Sequence, residues 1–188
     1  MRRVRCLFLL VLVSLVTEAL AAADPASPGY VVERWSVEQG LPNNALTSIV
    51  QTRDGYLWLS TWAGIVRFDG VRFTPVAKNL PLLHARALLE TPDGAVWIGL
   101  SGTGVAQWRA DGLELVTPAQ GLAGADVRAL AFDDGRLWVA TENGVSAIEG
   151  DRVVTWRTHD GLPSQVITDV VRGPRGGVWI ATAAGLCH

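Results

Sequence analysis

Cysteine is nearly absent from this chain, and the two that occur cannot brace a core. Cys6 lies in an apolar leader and Cys187 is the penultimate residue, so the leader's removal leaves no internal disulfide. Lysine is rarer still, with Lys78 alone. Residues 1–23 take with them three arginines and one glutamate, leaving a net charge of about −4. Such a balance lacks the basic footprint of a nucleic-acid binder, and no nucleic-acid partner is expected. The three histidines, His84, His159 and His188, fall at unrelated places and give no metal-ligand spacing. There is no Gly-x-Ser-x-Gly, no phosphate-binding loop and no paired-cysteine motif. Most carboxylates sit in turns, and nothing nominates a general acid and base. The reading is therefore of a chain without cofactor, metal or catalytic residues, not an enzyme by itself.

Long apolar runs are missing after the leader. Met1 to Arg5 is basic, Cys6 to Leu20 is largely apolar, and Ala19-Leu-Ala21 or Ala21-Ala-Ala23 offers a small-residue cleavage pattern. Glu18 and the alanines interrupt the run before the about 20 residues a spanning helix needs. Residues 1–23 are expected to be a Sec-type signal peptide that exports residues 24–188 to the periplasm.

What the chain has is repetition. Trp58, Trp97, Trp138 and Trp179 recur at intervals of 39, 41 and 41 residues. Each sits in one phrase, as in Asp54-Gly-Tyr-Leu-Trp58 and Asp93-Gly-Ala-Val-Trp97. Gly64, Gly104, Gly144 and Gly185 close the phrases at spacings of 40, 40 and 41. A second marker precedes each unit: Gly40-Leu-Pro42, Asn79-Leu-Pro81, Gly121-Leu-Ala123 and Gly161-Leu-Pro163. A period near forty marks a propeller blade, a helical solenoid or another array.

Within each unit the apolar residues alternate or form short runs, a strand signal. Unit one reads as four strands, over 45–51, 56–61, 64–68 and 71–76, with Asp54-Gly55 and Asp69-Gly70 as turns of type I′. Four short antiparallel strands per forty residues make a β-propeller blade. The expected fold is all-β, a propeller of four-stranded antiparallel blades over about 45–76, 85–117, 127–157 and an incomplete 166–188. Residues 30–35 match the outer strand of a unit and are expected to belong to a closing blade. The repeated tryptophans are read as packing residues; one buried indole side chain removes roughly 150–250 Å² from water, about 4–6 kcal/mol before entropy at about 25 cal/mol per Å².

Binding residues are sought where the period fails. Loops between second and third strands share a face with the crossings between blades, and they vary: Trp62-Ala63, Ser101-Gly-Thr103, Glu142-Asn143, Ala183-Ala184. Sequence variation on a repeated frame suits a binding face. Trp62 has small or polar counterparts in the other units, and is expected to stack on a ligand, for example a sugar ring, or else to pack on a neighbouring blade. Asn43, Asn44, Glu142, Asn143, His159, Asp160 and Gln165 are polar candidates on the same face.

The phrase from Gln39-Gly-Leu-Pro-Asn43 through Ala45-Leu-Thr-Ser-Ile-Val-Gln-Thr-Arg-Asp-Gly-Tyr-Leu-Trp-Leu-Ser-Thr61 to Ala63-Gly-Ile-Val-Arg-Phe-Asp-Gly-Val-Arg-Phe73 closely resembles the two-component regulator propeller repeat, and the likeness recurs in all four units. The resemblance implies blades of a seven-bladed propeller in the periplasmic sensor part of a membrane receptor. It also implies a small-molecule ligand and an output that is a histidine kinase or a diguanylate cyclase. The partners implied are the remaining blades and signalling domains of a longer, membrane-anchored receptor, and a homodimer is compatible with the sequence. The chain departs from the family in having about three and a half units, no later hydrophobic span and no output domain, and Arg175-Gly176 replaces one Asp-Gly. A propeller lyase or hydrolase and a free-standing interaction module are the competing readings.

Overall fold

The computed structural model describes residues 31–76 and 84–188. The leader 1–23 and the Asn79-Leu80-Pro81 marker lie outside them. The chain divides into two compact units, Met1–Arg34 and Trp35–His188. In the first, residues 31–34 form no regular structure and Val31 and Val32 are exposed. The second is all-β and is built of consecutive meanders.

Blade 1 comprises β1 (Leu46–Gln51), β2 (Leu57–Thr61), β3 (Gly64–Phe68) and β4 (Phe73–Pro75). Blade 2 comprises β5 (Ala85–Glu90), β6 (Val96–Leu100), β7 (Val105–Arg109) and β8 (Gly112–Val116). Blade 3 comprises β9 (Val127–Asp133), β10 (Arg136–Thr141), β11 (Gly144–Glu149) and β12 (Arg152–Trp156). Blade 4 has β13 (Ile167–Arg172), β14 (Val178–Thr182) and β15 (Gly185–Cys187). Each sheet is antiparallel in sequence order, three with four strands and the last with three. Residues 31–35, expected as an outer strand, carry none; Tyr30 lies outside the described residues. The first strands β1, β5, β9 and β13 pack side by side in that order, which places them innermost. Among the described residues no strand pairing joins the first blade to the last.

Alternation decides what each blade buries. In β2, Leu57 and Leu59 point to the preceding side (here the leading face), and Trp58 and Ser60 to the following side (the trailing face), because successive side chains leave a strand on opposite faces. Leu59 packs with Leu41, Val66 and Phe68 on the leading face of blade 1. Trp58 packs with Leu88, Val96, Ile98 and Ala106 of blade 2. Trp97 does the same with Leu137, Val139 and Ile148 of blade 3. Trp138 packs with Ile167, Val170, Val178 and Ile180 of blade 4. The core is thus a series of inter-blade layers, each with the repeat tryptophan of one blade laid on aliphatic residues of the next. Trp179 has no next blade among the described residues, and it is 40% exposed against 3% for Trp58 and 8% for Trp97.

The crossings share one local device. Ser36, Thr117 and Arg157 each precede a single 3₁₀ turn, and the glycine that follows (Gly40, Gly121, Gly161) sits at φ near +105°. A left-handed residue ends the turn without the steric cost that a Cβ adds. The leucine after it drops into the core, Leu41 and Leu122 fully and Leu162 in part.

The Asp-Gly turns differ from the type I′ expectation. Asp134 and Gly135 have φ of 48° and 76°, the two positive values such a turn requires. At Asp54-Gly55 and Asp93-Gly94 only the glycine is positive. The loop is longer there, closed by Thr52 and Thr91 donating backbone N–H to Tyr56 and Ala95 carbonyls. The threonine hydroxyl donates to the aspartate at 2.5 Å in both, so the carboxylate is a turn anchor.

Those hydrogen bonds have a pH consequence. Asp93 is lowered from the ordinary 3.8 to about 2, first by the Thr91 hydroxyl, against an opposing burial effect and with help from Arg109. Asp54 is lowered likewise, first by Thr52. Because the folded value lies below the ordinary one, ionised Asp93 contributes stability in full above about pH 4, and that contribution is lost as pH falls through 2. Acid titration of the unfolding midpoint between pH 4 and pH 2 should show a steeper fall for the parent chain than for Asp93→Asn. Equal slopes would remove Asp93 from the account.

Candidate functional site

The crossings and the loops between second and third strands emerge on one face, opposite the Asp-Gly turns, as expected of a meander. Three of these loops are built by one threonine. Thr61, Thr141 and Thr182 donate their hydroxyls to the carbonyls of Gly64, Gly144 and Gly185 at 2.8–2.9 Å. Each hydroxyl accepts in turn from the backbone N–H of Ala63, Asn143 or Ala184. This buckle holds the two loop-tip residues clear of the sheet. Its sequence signal is a threonine three residues before the closing glycine; in blade 2, whose loop is one residue longer, Leu100 stands at the threonine's register.

Trp62 stands on the first of these tips and is 57% exposed. Its ring meets His84 of blade 2 edge-on, 5.8 Å between centroids at 82°. His84 sits at φ 73° just before β5, an unusual backbone for a residue with a Cβ. Its carbonyl accepts the Ser101 N–H at 3.1 Å, which fixes that conformation. Trp62 therefore does pack on the neighbouring blade, by one edge, and keeps more than half of its surface open.

The polar candidates are mostly engaged in local structure. Asn43 Oδ1 accepts from the Ala45 N–H at 2.7 Å and Asn44 Oδ1 from the Val37 N–H at 2.9 Å. The Glu142 carboxylate accepts from the Ala125 and Asp126 N–H groups at 3.2 and 2.9 Å, and Asn143 Nδ2 donates to it at 3.3 Å. A Cβ at Gly124 would sit 2.5 Å from that carboxylate and would displace the Glu142 side chain from these N–H groups. Asp160 accepts the Arg157 N–H and lies 3.2 Å from exposed His159; Gln165 is exposed. Trp62 lies in blade 1 and Glu142 with Asn143 in blade 3, so blade 2 stands between them in the order of the sheets.

Sequence reasoning passed over the charged inner end of blades 2 and 3. Arg86 of β5 lies 3.7 Å from Asp126, which accepts the Ser101 hydroxyl at 2.7 Å. Among the described residues no group of three His, Cys, Asp or Glu is placed to hold a metal ion. No helix of the described residues is long and apolar enough to cross a membrane.

The fold and this face define the chain as an arc of propeller blades with its variable loops gathered on one side. Within it, residues 40–63 match the Two component regulator propeller family model, so the chain carries a repeat of that kind. No curated protein matches the sequence. Solved structures do. The extracellular domain attributed to a one component system of B. thetaiotaomicron superposes with a TM-score of 0.66 at 23% identity, covering 79% of this chain and 22% of that one. A second structure, attributed to a hybrid two component system of the same organism, gives 0.65 at 20%, covering 76% and 20%. Virginiamycin B lyase from Staphylococcus aureus gives 0.63 at 15%, covering 79% and 56%. At such identities the likeness is one of fold. The chain spans about a fifth of the length of the two extracellular domains.

Proposed function

We propose that the chain is part of a ligand-sensing propeller on the periplasmic side of a bacterial receptor, exported by its leader. It binds a small extracytoplasmic molecule, such as a saccharide, on the crossing face and passes the bound state to a histidine kinase; the same sensor part would serve a diguanylate cyclase. The observation that carries the reading is Trp62, a largely exposed indole held on a rigid loop within the very segment that matches the regulator repeat. An indole so presented offers an apolar face to the C–H side of a sugar, the kind of contact aromatic side chains supply at binding surfaces. Its backbone is fixed by the Thr61 buckle and by the Trp62 N–H bond to Ala45, so little ordering entropy opposes binding.

A thermal-shift screen of mono- and disaccharides tests it, because a ligand that binds only the folded state raises the melting temperature. The expected result is one or more hits on the parent chain that vanish in Trp62→Ala, with the variant's own melting temperature within about 2 °C of the parent, as befits a surface position. Hits that survive Trp62→Ala would sink the assignment of this face. A screen without hits would sink the saccharide class.

A further inference from the structure

The three inter-blade layers follow one design, and the middle one lacks aromatic residues that the others have. Between blades 1 and 2, Trp108 on the leading face of blade 2 meets Trp58 at 6.2 Å. Between blades 3 and 4, Trp156 of blade 3 stacks on Trp138 at 5.3 Å. At the layer between blades 2 and 3, register puts Ile148 where blade 2 has Trp108: Trp108 pairs with Val96 and Ile148 with Leu137, each the residue before the repeat tryptophan. Register also puts Val116 where blade 3 has Trp156, paired with Val105 and Val145 respectively. Branched aliphatic residues thus stand at two positions, each of which carries an indole in one other layer, although Phe132, paired with Leu137, adds a ring beside Trp97 here.

A cavity of about 740 Å³ opens at this layer, within the roughly 300–1,000 Å³ typical of small-molecule sites. Val116, Phe132 and Val153 line it as half-buried apolar residues over the buried Trp97, Leu137 and Ile148, while Asp93, Arg109, Glu114 and Asp151 line it as charged groups. Arg109 is ion-paired with Asp93 at 2.5 Å. Glu114 and Asp151 are exposed and enter no ion pair among the described residues. Three carboxylates against one guanidinium leave a formal charge of −2 on the lining. These carboxylates are not clustered as metal ligands, so the charge suits an extended organic cation better than a metal ion.

We propose that this cleft is a second ligand site, separate from the crossing face, and that it takes a small aliphatic amine. The alkyl part lies against the half-buried Val116, Phe132 and Val153, and the ammonium ends are drawn to Glu114 and Asp151. Such an occupant stands in for the two indoles and ties the trailing face of blade 2 to the leading face of blade 3.

Calorimetric titration of the whole chain with putrescine tests the proposal, with glucose and acetate as uncharged and anionic controls. Saturable binding of putrescine alone is expected. The double substitution Glu114→Gln with Asp151→Asn should weaken it by about tenfold or more, since two charge-assisted contacts are removed. Ile148→Trp, which installs the residue blade 2 already carries at that register, should abolish it, and Trp62→Ala should leave it unchanged. Failure of putrescine to bind, equal binding of glucose, or binding that persists in the charge variant overturns the proposal. If Ile148→Trp loses its native circular dichroism, the charge variant decides alone. Loss of saccharide hits in Trp62→Ala with putrescine binding intact separates this site from the crossing face.

Discussion

Trp58→Ala is expected to destabilise the chain by about 3–5 kcal/mol, the range for truncating a buried aromatic, and to lower its melting temperature by roughly 10 °C. Trp58 is enclosed by Leu88, Val96, Ile98 and Ala106 of the next blade and meets Trp108 edge-on. None of those atoms can follow a lost indole without moving its own strand, so a cavity remains. Trp179→Ala, the same substitution at the same repeat position, should cost less than about 1 kcal/mol. Trp179 meets the His188 ring at 4.6 Å and no following blade among the described residues, and Val171 and Leu186 beside it are exposed too. Thermal unfolding followed by circular dichroism measures both. Equal losses would show that the tryptophans act within their own blades and not between blades. In a longer chain that continues into another blade, the cost of Trp179→Ala should rise toward that of Trp58→Ala.

The second large effect concerns a glycine. Gly144→Ala should cost about 3 kcal/mol or more, and Gly185→Ala about 1–2 kcal/mol. Both glycines lie at φ near +131°, so both substitutions carry the 1–3 kcal/mol strain of an unfavourable backbone. Gly144 bears a second cost. A Cβ there would collide with the carbonyl oxygen of Trp156 at the end of β12 and crowd Ala123. Beside Gly185 nothing stands within 4 Å. Urea unfolding midpoints compared at unchanged slope give the two values. The idea fails if alanine is tolerated as well at Gly144 as at Gly185.

Both contrasts bear on how much could be read in advance. The Trp and Gly periods gave the blades, their strands and the face on which the variable loops gather, because alternation and turn chemistry are local properties. The unequal worth of equivalent residues was not legible. Trp58 and Trp179 have nearly the same neighbours in sequence, and only the presence or absence of a following sheet separates them. Glu142 reads in sequence as a polar loop residue open to solvent, yet its carboxylate spans the Ala125 and Asp126 N–H groups about sixteen residues away. Asn43 and Asn44 likewise spend their side-chain oxygens on backbone N–H groups. The type I′ reading of Asp54-Gly55 missed the Thr52 hydroxyl, which converts the aspartate into an anchor and lengthens the loop.

The sequence by itself determined the architecture: four repeats of short strands, a tryptophan on one face of each second strand, and a glycine at three of the four crossings. Strand alternation and glycine's tolerance of positive φ act within a few residues, so a single chain displays them. The tertiary structure decided which repeats are buried, that Trp62 rests on His84 while keeping an open face, and that a cleft opens beside the packed layer between blades 2 and 3. Those outcomes depend on residues some forty positions apart meeting across a sheet interface, where the fit of Ile148 or Trp108 to its neighbour is set by packing and not by local pattern.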